Sequence, residues 1–101
     1  ADKIIRQAES EVEKLKEVAA EAAEKIRKEG YAGAERVEKE AEGKGWVAEN
    51  LAKKAASELK KEADKQAENV IREANEKAES ILNEARKRAG EISKSGKDQI
   101  Q

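Results

Sequence analysis

The chain has 101 residues, enough for at most one small domain. Charged residues make up 45% and aromatics 2%, with no Phe, Met, Cys, His or Pro, which excludes a core of large side chains and matches a long helix or coiled coil. The net charge of −1 comes from 22 basic and 23 acidic residues mixed along the chain, so no basic face offers nucleic acid a handle.

The first expected element is a helix entered at Asp2, whose carboxylate suits an N-cap. From Ile4 an eleven-residue step organises everything that follows. It gives Ile4, Leu15, Ile26, Val37, Ala48, Leu59, Val70, Ile81 and Ile92. Four residues on, the same step gives Ala8, Ala19, Gly30, Ala41, Ala52, Ala63, Ala74, Ala85 and Gly96. Four more give Val12, Ala23, Ala34, Gly45, Ala56, Ala67, Ala78, Ala89 and Ile100. Three apolar positions in eleven residues have a period of about 3.67, slightly above the 3.6 of a straight helix, which predicts a right-handed supercoil. Small residues let neighbouring backbones approach closely, so the stripe reads as a self-association surface. The residues expected at that oligomer interface are Ile4, Ala8, Val12, Leu15, Ala19, Ala23, Ile26, Val37, Ala41, Ala52, Ala56, Leu59, Ala63, Ala67, Val70, Ala74, Ala78, Ile81 and Ala85.

The stripe widens at Ile4-Ile5, Val70-Ile71 and Ile81-Leu82 on one flank, and at Val18 with Ala22 and Leu51 with Ala55 on the other. Such shoulders point to three or four helices in section. The opposite face carries acids four residues before bases: Asp2/Arg6, Glu21/Lys25, Glu24/Lys28, Glu35/Lys39, Glu49/Lys53, Glu73/Lys77 and Glu84/Arg88. Each pair adds about 0.2–0.5 kcal/mol to a helix, and the ordinary reading is a solvated face. Ser10-Glu11-Val12-Glu13 matches a capping box but sits inside the unbroken repeat, and is read as coincidence.

Gly30, Gly33, Gly43 and Gly45 make the first half the weakest helical stretch, since each glycine costs about 1 kcal/mol against Ala. Two architectures follow. The preferred one is a single continuous helix over 1–92 in a hendecad coiled coil, because the step from Val37 to Ala48 and from Ala41 to Ala52 crosses the glycines in phase. On that reading Gly30 and Gly45 are close-approach points on the core stripe. The alternative is an antiparallel helical hairpin turning at 43–46. Trp46 lies away from the stripe and has three readings: packed over Lys and Glu stems, covering a glycine of a neighbouring helix, or contacting a partner. Tyr31, at a flank, is a second possible partner contact. Beyond residue 92 the segment 93–101 is expected to be frayed or disordered.

No catalytic, cofactor or metal site is expected, and the chain is not read as an enzyme. The usual bases, nucleophiles and soft metal ligands are missing, and four-helix di-metal sites need Glu-x-x-His pairs. No apolar run approaches the roughly 20 residues of a membrane span. Ala1 is compatible with Met removal, signal cleavage or trimming, so localisation stays open.

The stretch ANEKAESILNEARKRAGEI, Ala74 to Ile92, resembles the helical peripheral-stalk subunits of rotary ATP synthases, which carry Ala-rich eleven-residue repeats in right-handed coiled coils. The chain lacks their membrane helix or globular head, and Gly43-Lys44-Gly45-Trp46 is foreign to them. It also resembles late-embryogenesis-abundant proteins, whose repeats order on drying or on a surface, although the aliphatic leading positions favour a specific coiled coil. Small bacterial Ala-rich hendecad coiled-coil proteins of uncharacterised role are its most similar company. The expected function is a non-enzymatic spacer, scaffold or oligomerisation rod, partnered by itself as dimer to tetramer. An amphipathic helix on a membrane or lipid surface, or a stress-protective chain, is the alternative, and it is disfavoured because alanine adds little to insertion.

Overall fold

The computed structural model describes residues 2–100, with side chains described through residue 91. The expected tail at 93–101, and Ile92, Gly96 and Ile100 of the repeat, lie outside the fully described residues. The chain is all-α, with two helices: α1, Asp2–Ala41, and α2, Trp46–Ile100. Both are rich in Ala, Glu, Lys and Arg, the residues that lose least freedom in a helix. Asp2 in the first turn of α1 and Lys39 in its last turn each complement the helix dipole.

The continuous helix is therefore corrected: the chain turns over residues 42–45, and the hairpin is the architecture it adopts. Two glycines make the turn. Gly43 has φ of 75° and Gly45 φ of 107°, both in the left-handed half of backbone space that a Cβ disfavours. The end of α1 is closed by the Lys44 amide donating to the Ala41 carbonyl at 3.1 Å, and by Glu42 donating to Lys39 at 3.2 Å. Gly45 then acts as the N-cap of α2, its carbonyl accepting the Glu49 amide at 3.0 Å. Glu49, in the first turn of α2, reaches back so that its Oε1 accepts the Gly43 amide at 3.3 Å. Gly45 is thus a turn residue, with no close neighbour, and not the close-approach point expected from its place in the repeat.

Contacts divide the chain into two compact units, Ala20–Ile71 and Ala1–Ala19 with Arg72–Gln101. In the first, α1 and α2 run antiparallel from the turn. In the second, Ile4 and Ala8 of α1 share one shallow concavity with Ile81 and Ala85 of α2.

The buried residues follow the eleven-residue step with little exception. Of the fourteen buried apolar residues described, thirteen are alanine, and Val12 is the other. They are Ala8, Ala19, Ala41, Ala52, Ala63, Ala74 and Ala85 of the second series, with Val12, Ala23, Ala34, Ala56, Ala67, Ala78 and Ala89 of the third. The leading aliphatics are not at the centre. Ile4, Leu15, Ile26, Val37, Val70 and Ile81 are half-buried, and Leu59 is 41% exposed. The physical reason is angular: the mid-line of three positions spaced by four residues shifts toward the pair that permits the closest backbone approach. The alanines take the centre and the larger side chains lie along its edge.

Candidate interaction surface

Two edges flank the alanine seam, and they differ in chemistry. In an antiparallel pair, a two-fold axis normal to the plane of the helices carries each edge of one helix onto the same side of the other. Equivalent positions of the repeat therefore gather on one face.

On one side of the unit Ala20–Ile71 this brings polar groups together. Tyr31 and Asp64 occupy the same repeat position on α1 and α2, thirty-three residues apart in sequence, and meet. The Tyr31 hydroxyl donates to both Asp64 oxygens, at 3.0 Å to Oδ1 and 3.1 Å to Oδ2. Arg27, one turn before Tyr31, places its Nε 3.5 Å from Asp64 Oδ1. Lys60, one turn before Asp64, holds its Nζ 5.7 Å from the centre of the Tyr31 ring, within cation–π range. The hydrogen bond to the Asp64 carboxylate holds the Tyr31 pKa above its ordinary value, helped by partial desolvation and the carboxylate charge and opposed by Arg27. Beside this cluster the helices touch: a Cβ added to Gly30 would collide with that of Ala63, and would lie 3.6 Å from Ala63 Cα. Gly30 is the close-approach glycine that the sequence predicts, and it sets Tyr31 at hydroxyl reach of Asp64.

The other side is aliphatic. The half-buried Ile26, Val37 and Val70 lie on it with Leu59, and the α2 stripe Leu51, Ala55, Leu59 continues it one flank further out. Leu51 is 64% exposed. In the unit Ala1–Ala19 with Arg72–Gln101, described by itself, Leu15 is half-buried and Val18 exposed on α1. There Ile4 and Ile81 share a concavity with Gln7, Glu11, Glu84 and Arg88, as the same-edge rule requires.

The sequence-derived interface residues thus separate into two classes. Ala8, Val12, Ala19, Ala23, Ala41, Ala52, Ala56, Ala63, Ala67, Ala74, Ala78 and Ala85 are buried inside the chain itself. Ile26, Val37 and Val70, half-buried, flank the seam with Leu59 in the unit Ala20–Ile71, and Ile4, Leu15 and Ile81, also half-buried, flank it in the other. Tyr31 is engaged by its own chain, a contact the sequence reading missed because its partners Asp64, Arg27 and Lys60 carry no local signal. Trp46 opens α2 and is 78% exposed, with Val47 beside it at 62%. Of the seven acid–base pairs named from sequence, Glu84/Arg88 forms an ion pair among the described residues, at 3.7 Å, since long exposed side chains gain little from closing one.

Among the described residues no helix is long and apolar enough to cross a membrane, and no group of three or more acidic residues could hold a metal ion. Compared with known protein families, residues 47–101 match the family model described as DivIVA protein. That span is essentially α2. No curated protein and no solved structure matches the chain.

Proposed function

The chain belongs to the DivIVA protein family, a family of coiled-coil, self-associating, non-enzymatic structural proteins, and from that membership we propose how it self-associates. The hairpin is a scaffold or spacer module whose aliphatic edge packs against the same edge of a second copy. With the hendecad coiled-coil proteins and the stalk subunits that the repeat resembles, the family has coiled-coil character in common.

One observation carries the reading. The alanine seam is consumed within the chain, while Leu51 and Leu59, on the side of Ile26, Val37 and Val70, stay 64% and 41% exposed. Leu51 keeps most of its side chain in solvent, and Leu59, though it flanks the seam, leaves about two-fifths of its surface there. Against a like edge, burying what remains exposed would contribute about 1 kcal/mol per side chain, a part of the roughly 1.5–3 kcal/mol of a fully exposed leucine. Isologous pairing of one edge with itself is the usual geometry of a dimer.

Leu51→Glu with Leu59→Glu tests this. Both positions are exposed, so helix content by circular dichroism should hold within about a tenth. The oligomeric mass by light scattering should fall across micromolar concentrations. An unchanged oligomeric mass would rule this edge out as the interface.

A further inference from the structure

A hairpin does not require its two helices to be in phase through the turn, because each helix packs only on the other. Yet Ala41 and Ala52, the last and first buried residues around the turn, are eleven residues apart, the same step that leads on to Ala63 and Ala74. Ala34 and Ala56 are two such steps apart with Gly45 midway. A loop of arbitrary length would keep this phase about one time in eleven. The turn also contains nothing that forbids a helix. It has no proline, and its two positive-φ residues are glycines, which enter the helical region freely at about 1 kcal/mol each relative to Ala. Space is open at both: a Cβ at Gly43 or Gly45 would meet nothing within 4 Å.

We propose that this chain exchanges arms with a second copy. Residues 42–45 become helical, α1 and α2 join into one helix, and α1 of each copy packs antiparallel on α2 of the other. The alanine seam, the Gly30–Ala63 approach and the Tyr31–Asp64 hydrogen bond all re-form, now between copies. Only the turn's own bonds are given up: Gly43 to Glu49, and Lys44 and Glu42 to the end of α1. Retention of every other contact is what makes such swapping a low-cost route to a dimer. The register supports it at the centre as well. With Gly30 opposite Ala63, stepping fifteen residues inward on each side brings Gly45 opposite Ala48 of the second copy. The glycine that the turn needs for its φ of 107° is then the small residue that a close crossing needs there. The exchange goes beyond pairing through the aliphatic edge and does not depend on it.

The test uses the absence of native cysteine. In the full chain carrying Arg27→Cys and Asp64→Cys, a short bis-maleimide joins the two thiols. Exchanged arms give a covalent dimer on a denaturing gel, above the level seen when separately folded samples are mixed; a closed hairpin gives an internal link at monomer mass. Covalent dimer is the expected result, increasing with protein concentration during refolding. Inserting one Ala between Gly43 and Lys44 rotates α2 by about 100° relative to α1 in a through-helix. It should reduce the covalent dimer at least tenfold with helix content intact, whereas Gly43→Ala with Gly45→Ala should increase it severalfold. Internal links alone, in a sample whose mass is dimeric, overturn arm exchange and leave edge pairing standing. Internal links in a monomeric sample overturn both. A covalent dimer indifferent to the insertion also overturns the exchange, because the preserved phase would then have no part in it.

Discussion

Gly30 carries two opposed effects, and their balance is measurable. Changing it to Ala gains about 1 kcal/mol of helix propensity. The new methyl meets the Ala63 Cβ, and overpacking of that kind costs about 1–3 kcal/mol. Gly30→Ala should therefore destabilise the chain by up to about 2 kcal/mol in urea melts, and Ala63→Gly in that background should recover the steric part. A coupling of about 1 kcal/mol or more is expected from the double-mutant cycle, and additive effects would show that the helices are not in contact there. Next to it, Tyr31 gives a pH dependence with a definite sign. Its folded pKa is raised, chiefly by donation to Asp64, so its contribution is complete below the ordinary value near 10 and is lost as pH climbs through the raised one. The melting temperature of Tyr31→Phe should lie below that of the parent at pH 8, and the difference should shrink above pH 10.

At the scale of the elements, the turn decides where α1 ends. Helix propensity alone would let it continue, since Glu42 and Lys44 are good helix formers and only two glycines interrupt. Gly43, at φ of 75°, lies in the region that Asn also tolerates, whereas φ of 107° at Gly45 suits only glycine. Gly43→Asn should therefore cost a few tenths of a kcal/mol, and Gly45→Ala about 1–2 kcal/mol of hairpin stability. Glu49→Ala removes both the acceptor for the Gly43 amide and a charge matched to the start of α2, for a further loss of about 0.5–1 kcal/mol. Denaturant melts at low micromolar concentration, where association contributes least, measure all three. Equal costs at Gly43 and Gly45 would show that backbone conformation is not what limits the turn.

For the whole molecule, thirteen alanines and one valine are the fully packed apolar residues described, and no large side chain among them is fully buried. Each alanine methyl contributes only about 0.8 kcal/mol, so a second copy, as proposed, would add burial that the seam alone lacks. The chain's melting temperature should increase with protein concentration, as for any fold linked to association. The Leu51→Glu, Leu59→Glu pair should flatten that dependence if edge pairing is its source, and should leave it in place if arm exchange is.

Helicity, the eleven-residue step and the alanines it buries are legible in the sequence, because period and side-chain size act locally and repeat nine times over, whereas the half-burial of the leading aliphatics is not. Ala8, Ala19, Ala63 and Ala67 are buried where the step puts them. The partner of that stripe is not legible. A through-helix and a hairpin present the same phase from Val37 to Ala48 and from Ala41 to Ala52, and differ locally by a few glycines worth about 1 kcal/mol each. Within the single chain, the tertiary structure pairs the stripe with the chain's own second helix, which avoids the translational and rotational cost of bringing in another molecule. The meeting of Tyr31 with Asp64, thirty-three residues away, belongs to the same decision. It exists only once α2 has folded back, and no pattern within either helix contains it.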